Sequence, residues 1–182
     1  MDRNRVEVKF LNKIKEAKKF NNIQLAVCLV KKNPLETIFQ KATELGVSNI
    51  IPLISERTEV KDLNYERAKK IVIEATEQSN QLIPPAISKV TKLKNFLESL
   101  DQSTKLLFAD INSKNNLDIK DFKEVKSLCV LIGPEGDFTP KEREIILSKT
   151  NTIPFSLSNN ILRADTATIS AISLINFVLS DH

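Results

Sequence analysis

Short apolar runs alternate along this chain with segments of helical periodicity, and that alternation restricts the fold more than any other feature. The apolar runs predict strands over 23–30, 49–54, 86–90, 106–109, 128–132 and 153–157. Helical spacing of apolar residues predicts helices over 35–45, 65–81, 142–149 and 166–179. Because continuous apolar runs are typical of strands buried on both faces, we predict an α/β fold in which helices cover a parallel sheet. Ligand sites are then expected at the carboxyl ends of the strands.

The scarcity of glycine draws attention to one turn. The 182 residues include three glycines, and two of them, Gly133 and Gly136, frame the sequence G-P-E-G directly after the run 128–132. Glycine is expected where φ is positive or where a ligand comes closer than a Cβ atom permits; an ordinary tight turn is the simpler alternative. A second compact segment, I-L-R-A-D-T-A over 161–167, follows the run 153–157. Since both segments follow predicted strands, we predict that they form two walls of one pocket.

The residue types present exclude several classes of site. The single histidine is His182, so catalysis by Ser-His-Asp or Cys-His groups and multi-histidine metal sites are not expected, and we predict no metal. Cys28 and Cys129 lie in apolar runs and are expected to be small buried hydrophobes in a reducing cytoplasm. No apolar run reaches the ~18 residues that span a bilayer, and no signal-peptide core follows the first residues. A soluble cytoplasmic protein is therefore expected.

Length and charge suggest one main domain and allow a nucleic-acid partner. Lysine and arginine number 27 against 23 acidic residues, a net charge of +4 that suits RNA but is common among unrelated proteins. We assign residues 23–182 to the main domain and residues 1–22 to an appendage. The lysines over 9–19 indicate either an RNA-binding arm or a weakly amphipathic surface helix. The last predicted helix is apolar around most of its circumference, which favours burial in a homodimer over a central helix of a monomer.

Four sequence blocks, in this order and spacing, resemble one enzyme family. The blocks are K-A-T-E-L-G-V over 41–47, E-A-T-E-Q-S over 74–79, L-I-G-P-E-G over 131–136 and I-L-R-A-D-T-A over 161–167. The chain resembles, over 25–179, the small-subunit ribosomal RNA uridine-N3 methyltransferases, a branch of the SPOUT methyltransferases. It differs in having Ala164-Asp165 for Thr-Glu, Asp137 for a second glycine and Gln81 for a usual arginine. The loss of that arginine could remove an RNA contact.

The resemblance implies properties that periodicity does not show. It implies a C-terminal deep trefoil knot formed by the segments around 133–136 and 157–166, a homodimer and S-adenosylmethionine as cofactor. It also implies methylation of N3 of a uridine in 16S ribosomal RNA. Family members begin with a PUA-like domain that grips RNA; here it is largely missing, and Val6-Glu7-Val8 is similar to its closing strand. The alternatives are a SPOUT methyltransferase acting on another RNA position and a non-catalytic RNA-binding or ribosome-assembly protein with the same fold.

Matching positions supply the candidate site residues. The predicted cofactor-binding residues are Leu107, Ile132, Gly133, Pro134, Glu135, Gly136, Leu157, Asn160, Ile161, Leu162 and Thr166. Arg163 is predicted to stabilise the uracil anion formed when N3 loses its proton, or else to pair with Asp165 or a partner subunit. Asp165 is predicted to accept that proton, to orient Arg163 or to contact the positive sulfonium or amino group of the cofactor. Candidate RNA contacts are Arg57, Lys61 and Arg67, for which a solvated basic face is the alternative.

Overall fold

The structure is a computed structural model that describes residues 6–13, 15–16, 22–118, 122, 125 and 127–180. His182, Ile14 and residues 17–19 of the predicted arm lie outside the described residues. The chain order of the regular elements within those ranges is β1 (Ile23–Cys28), α1 (Lys32–Glu44), β2 (Asn49–Ile54), α2 (Tyr65–Gln78), β3 (Ala86–Ile87), β4 (Thr91–Lys92), α3 (Leu93–Ser99), β5 (Thr104–Ala109), β6 (Ser127–Ile132), α4 (Pro140–Leu147), β7 (Thr152–Phe155) and α5 (Ala164–Ser180).

The strands form one parallel sheet, as predicted. Its order is β3-β2-β1-β6-β5-β7, and β4 also pairs with β2. The register places Val27 beside Ile132 between β1 and β6, and Phe108 beside Leu131 between β5 and β6. The three adjacent strands β6, β5 and β7 therefore bring their carboxyl ends to one edge of the sheet.

Both faces of the sheet are buried, which explains the continuous apolar runs. One face packs against apolar side chains of α1, α2 and α5, including Phe39, Val72 and Ile175. The other face packs against α3 and α4 through Phe96 and Ile146. Consecutive residues of a strand point to opposite faces, so every position of a central strand such as β1 meets a core. The alternating pattern of a half-exposed strand is consequently absent.

Helix boundaries follow local capping signals. Gly46, with φ 82°, stops the chain from continuing α1, and Asn80, with φ 56°, follows the end of α2. The side chain of Asn64 accepts a hydrogen bond from the Arg67 backbone N–H at the start of α2. Thr139 and Glu142 form a capping box at the start of α4, with Pro140 in the first position, as the sequence indicates.

Several elements differ from the predictions. The helix predicted over 65–81 ends at Gln78, and the last helix begins two residues earlier than predicted, at Ala164. The short strand β4 and the seven-residue helix α3 were not predicted, because each is too short for a periodic pattern to stand out. Residues 6–13, which include Val6-Glu7-Val8, have no regular secondary structure and are exposed. Among the described helices, none combines the length and apolar character needed to cross a membrane.

Candidate functional site

A cavity opens at the edge of the sheet where β5, β6 and β7 end. Its walls come from residues 109–111 at the end of β5, residues 132–135 and 137 at the end of β6, and residues 157–158 and 160–162 after β7, and Ala164 and Ala167 of α5 close it. The cavity encloses about 110 Å³ and is open to solvent on one side. Gly133 and Leu162, on the two segments singled out in the sequence, thus lie in the wall of one cavity. The position agrees with the expectation that ligand sites form at the carboxyl ends of parallel strands.

Most of the predicted cofactor-binding residues line this cavity, and three do not. Those that line it are Ile132, Gly133, Pro134, Glu135, Leu157, Asn160, Ile161 and Leu162. Leu107 is fully buried in the middle of β5, where it packs in the core beside Val130. Gly136 lies outside the cavity lining and instead lines a neighbouring groove. Thr166 is exposed on the first turn of α5 and is not part of the lining.

Sequence reasoning missed the third wall of the cavity. The lining residues absent from the prediction are Ala109, Asp110, Ile111, Asp137, Ser158, Ala164 and Ala167. Asp110 had a usable signal, because it directly follows the apolar run 106–109 and therefore stands at a strand end like Gly133. Residue spacing alone does not predict which strands flank β5, and in the structure they are β6 and β7. The strand-end argument applied to all three strands would have found this wall.

Neither glycine of the turn has a positive φ, and Gly133 leaves room for a packed aromatic ring. Among the described residues, Gly46 is the glycine with a positive φ, so neither Gly133 nor Gly136 adopts that conformation. A Cβ atom on Gly133 would lie 3.0 Å from Cε2 of Phe138, whose buried ring packs edge-to-face on Phe108 at 5.7 Å. Gly133 therefore leaves room for the Phe138 ring, and it also lines the cavity. A Cβ atom on Gly136 would make ordinary contacts with Arg57, the nearest at 3.7 Å.

The left-handed position of the turn is Asp137, with φ 57°. Aspartate tolerates this conformation because its short side chain bonds the local backbone. Asp137 Oδ1 accepts a hydrogen bond from the Phe138 N–H at 2.7 Å, and the Asp137 N–H donates to the Pro134 carbonyl at 3.0 Å. The turn is thus closed by its own backbone and by one acidic side chain that also lines the cavity.

A buried ion pair fixes the end of β5 to α4. The Asp110 side chain is 1% exposed and accepts hydrogen bonds from Arg143 Nε at 3.1 Å and from Arg143 Nη2 at 2.7 Å. Hydrogen bonding to Asp110 raises the pKa of Arg143, and the negative charges of Asp110 and Asp137 raise it further. Arg143 therefore holds Asp110 in place through a charged hydrogen-bonded pair, and the negative charge of Asp137 acts on it from a second wall of the cavity.

The α4 N-terminus is bonded to the loop that follows β2. Glu142 is buried, and its Oε2 accepts from the Thr139 N–H at 3.0 Å while its Oε1 accepts from the Glu56 N–H at 2.8 Å. Next along that loop, Arg57 Nη1 donates to the Gly136 carbonyl at 2.8 Å. These bonds hold the cavity turn from its outer side. The same bonds explain how the Glu142 side chain can be buried, because its oxygens accept hydrogen bonds from backbone N–H groups.

The predicted catalytic pair lies at the rim of the cavity. Arg163 precedes α5 and its side chain is 71% exposed, whereas the Asp165 side chain is 23% exposed. Arg163 Nε and Asp165 Oδ1 are 3.9 Å apart, at the limit of an ion pair. Asp165 Oδ1 also accepts from the Thr166 N–H at 2.9 Å. Neither residue belongs to the cavity lining. Both lie next to Ala164, which does line it, so they are close to the mouth through which a substrate would approach.

The candidate RNA contacts have partners within the protein. Arg57 bonds the Gly136 carbonyl, and Lys61 Nζ donates to the Thr58 carbonyl. Arg67 on α2 makes two hydrogen bonds to Glu36 on α1, at 2.8 and 3.1 Å. This pairing raises the pKa of Arg67 and lowers the pKa of Glu36. Arg67 thereby links α1 and α2 and does not line the cavity, and an RNA contact by any of the three residues remains a prediction.

The thiols and the acidic groups supply neither a nucleophile nor a metal site. Burial raises the pKa of Cys28 and of Cys129 to about 12, so both thiols are protonated at neutral pH. Over the described ranges no group of three or more His, Cys, Asp or Glu side chains is arranged to hold a metal ion. What the cavity offers is a set of apolar walls with Glu135 and Asp137 at its turn and Asp110 at its base.

Both the sequence and the fold are similar to those of RNA methyltransferases. Residues 16–176 match the family model described as an RNA methyltransferase domain. The chain is 36% identical over 183 residues to ribosomal RNA small subunit methyltransferase E of Rickettsia conorii, covering 99% of this chain and 74% of that protein. The enzyme of the same name from Neisseria gonorrhoeae, solved bound to S-adenosyl methionine, aligns with a TM-score of 0.79 and 28% identity over 86% of this chain and 66% of the other. The SpoU methyltransferase AviRb of Streptomyces viridochromogenes, 14% identical with a TM-score of 0.57 over 89% and 62% of the two chains, shares the fold.

Proposed function

Because the chain belongs to the RNA methyltransferase domain family, we propose that it transfers a methyl group from S-adenosylmethionine to N3 of a specific uridine in 16S ribosomal RNA. The observation that supports this most directly is the cavity at the ends of β5, β6 and β7, in a fold of the SPOUT methyltransferase type. The related protein of Rickettsia conorii is named for an activity on small-subunit ribosomal RNA. We propose a cytoplasmic location together with this substrate, since the proposed reaction takes place on ribosomal RNA.

The cavity walls fit a cationic nucleoside. The apolar side chains of Ile132, Leu157 and Leu162 suit the flat face of a base. Among the described residues, the lining includes no lysine or arginine, whereas Glu135 and Asp137 at the turn suit a positive charge. The enclosed 110 Å³ is smaller than the about 300–1,000 Å³ of pockets that surround whole ligands. Part of the ligand would therefore lie in the open mouth, beside the 84% exposed side chain of Ile161.

S-adenosylmethionine, when bound, supplies a methyl group on a positively charged sulfur, which makes the methyl carbon electrophilic. The chain's own residues then have two tasks, to align the uracil with that carbon and to manage the proton on N3. Arg163 at the rim is placed to donate hydrogen bonds to the oxygens of the uracil anion. The N-terminus of α5, where Arg163 lies, adds the positive end of a 17-residue helix.

Asp165 acts on Arg163 in this proposal. Its carboxylate lies 3.9 Å from Arg163 Nε and is fixed by the Thr166 N–H, so it restricts where the guanidinium points. Asp165 is also the acidic group nearest in sequence to Arg163, which makes it the alternative proton acceptor. The two roles differ in their test: an orienting carboxylate is replaced in part by asparagine, and a general base is not.

The function predicts that Arg163→Ala lowers kcat for methyl transfer by about 10²–10³-fold with little change in cofactor affinity. Incorporation of labelled methyl groups from S-adenosylmethionine into 16S ribosomal RNA measures kcat, and calorimetry measures the affinity for the cofactor. Lys70→Ala, on the exposed face of α2, is the matched loss of a positive charge. Unchanged turnover in Arg163→Ala, with cofactor binding retained, would show that Arg163 does not stabilise the reacting base.

The same measurements separate the alternative functions. Cofactor binding without methyl incorporation into any ribosomal RNA favours a non-catalytic RNA-binding protein. Incorporation at a base other than a uridine, or at another atom, favours a SPOUT methyltransferase of different specificity. Mapping the modified nucleotide in cells with and without this gene identifies the target directly.

We also propose the trefoil knot and the homodimer. In support of the knot, the Ser156 N–H after β7 donates to the Asn115 carbonyl at 2.8 Å, so the segment leading to α5 runs against the connection that follows β5. In support of the dimer, α5 buries Ile172 and Ile175 in the core yet leaves Leu174 38% and Phe177 64% exposed. Residues 1–22 remain assigned, as a proposal, to a segment distinct from the methyltransferase domain of residues 23–182.

A further inference from the structure

A groove lined by lysines lies next to the loop that follows β2, away from the cavity. It encloses about 460 Å³ between β2, the start of α3 and the start of α4. Lys92, Lys94 and Lys141 stand on its walls, and Ile54, Leu93 and Ile145 are among the apolar side chains beneath them. We refer to it as the lysine groove.

The lining of the lysine groove has a net positive charge, because its three lysines outnumber its acidic residues. Two acidic residues line it, Glu56 and Glu142. Glu142 is buried, and its oxygens accept hydrogen bonds from the backbone of Glu56 and Thr139, so its carboxylate faces backbone N–H groups rather than an ammonium group. Lys94 has a long contact with Glu98 at 3.9 Å between two exposed side chains, an arrangement that contributes little. Three exposed ammonium groups thus face one exposed carboxylate.

The lysine groove is continuous with the candidate active site. Glu56 lines both the lysine groove and a second groove of about 450 Å³. Pro134 and Glu135 line that second groove and the cavity. The three depressions therefore follow one another along the carboxyl edge of the sheet. The middle groove contains Glu56, Glu59 and Glu135 against Lys31 and Arg57, so it does not attract phosphates, whereas the lysine groove does.

We propose that the lysine groove binds the sugar-phosphate backbone of the RNA whose target base enters the cavity mouth. Lysines contact phosphates as point charges, and the apolar floor accepts a ribose or the face of a base. The described residues that line the groove include no aromatic side chain, so they provide no ring on which a base could stack. The groove positions RNA without choosing its sequence. This inference rests on the proposed function for its choice of RNA over other polyanions.

The test is RNA binding by a variant in which Lys92, Lys94 and Lys141 are replaced by glutamine. The matched control replaces Lys69, Lys70 and Lys149, which line neither the cavity nor the grooves described here, and removes the same charge. Affinities for a 16S ribosomal RNA fragment and for a scrambled RNA of equal length are measured from 50 to 200 mM KCl. Calorimetry with S-adenosylmethionine verifies that the variants remain folded at the cavity.

The groove variant is expected to lose RNA affinity by about tenfold and to reduce the slope of log K against log salt by about 2, since each single-strand phosphate contributes about 0.7. The loss should be equal for both RNAs, and the control should change much less. Equal losses in groove and control variants, or an unchanged slope in the groove variant, would overturn the proposal and leave the groove to a partner of another class. Failure of the unsubstituted chain to methylate RNA would instead overturn the proposed function alone.

Discussion

Asp137 shows how a single residue sets the conformation of the cavity turn. Its φ of 57° lies in the left-handed region, which costs a residue with a side chain roughly 1–2 kcal/mol relative to glycine. The family that the sequence resembles has glycine here, and the observed φ gives the physical reason. Aspartate meets the same requirement through its bond to the Phe138 N–H. The glycines that flank the turn, by contrast, do not have positive φ.

We therefore expect Asp137→Ala to lower the free energy of unfolding by about 1–2 kcal/mol, because alanine keeps the strain and loses the local hydrogen bond. Asp137→Gly should stay within about 1 kcal/mol of the parent chain, since relief of strain offsets the lost bond and the greater freedom of unfolded glycine. Urea denaturation followed by circular dichroism measures both. An alanine variant as stable as the glycine variant would contradict this account of the turn.

At the scale of elements, Gln81 joins two helices. Its Nε2 donates to the Thr43 carbonyl at 2.6 Å and to the Glu44 carbonyl at 3.3 Å, at the C-terminal end of α1. The family's usual arginine at this position had suggested a lost RNA contact, but the structure gives position 81 a capping role. The Thr43 carbonyl also accepts a hydrogen bond from the Gly46 N–H at 3.0 Å. Because carbonyls at a helix C-terminus lack the N–H groups of a further turn and carry partial negative charge, a donor side chain suits this site.

Three substitutions of Gln81 are expected to change the free energy of unfolding by different amounts. Gln81→Ala should lower the free energy of unfolding by about 1 kcal/mol through loss of the hydrogen bonds. Gln81→Glu should lower it further, since a carboxylate would face the same carbonyls, whereas Gln81→Arg should preserve stability within about 0.5 kcal/mol. Thermal unfolding of the three variants measures the order. A glutamate variant as stable as the arginine variant would show that the side chain does not cap α1.

The elements also show what the sequence alone can predict. The central strands and the N-terminus of α4 were predictable because burial on both faces and the Thr139 capping box leave local patterns. The cavity was predictable in outline because it lies at strand ends. The Asp110–Arg143 pair and the contact of Gly133 with the Phe138 ring were not, since each depends on how separate elements pack. The helix α3 was missed although Leu93, Phe96 and Leu97 have helical spacing, because seven residues are too few to distinguish it.

At the scale of the whole molecule, α5 has more apolar surface than one chain covers. Ala171, Ile172 and Ile175 are fully buried, and Leu174 and Phe177 remain exposed on the same helix. Burying an aromatic side chain such as Phe177 contributes about 1.5–3 kcal/mol, which favours a second copy of the chain on this face. The same helix also reaches the cavity, because Ala164 and Ala167 at the start of α5 are part of the cavity lining.

We expect Phe177→Glu to convert a dimer into a monomer, because a carboxylate in an apolar interface is desolvated without a partner. Light scattering coupled to size-exclusion chromatography measures the mass. Ile73→Glu, which changes a 47% exposed apolar residue on α2, is the control and should leave the mass unchanged. If the partner copy orders the start of α5, the Phe177→Glu monomer should also bind S-adenosylmethionine more weakly than the control, and equal affinities would confine the role of this face to assembly. A Phe177→Glu variant that remains dimeric would place the dimer contact elsewhere.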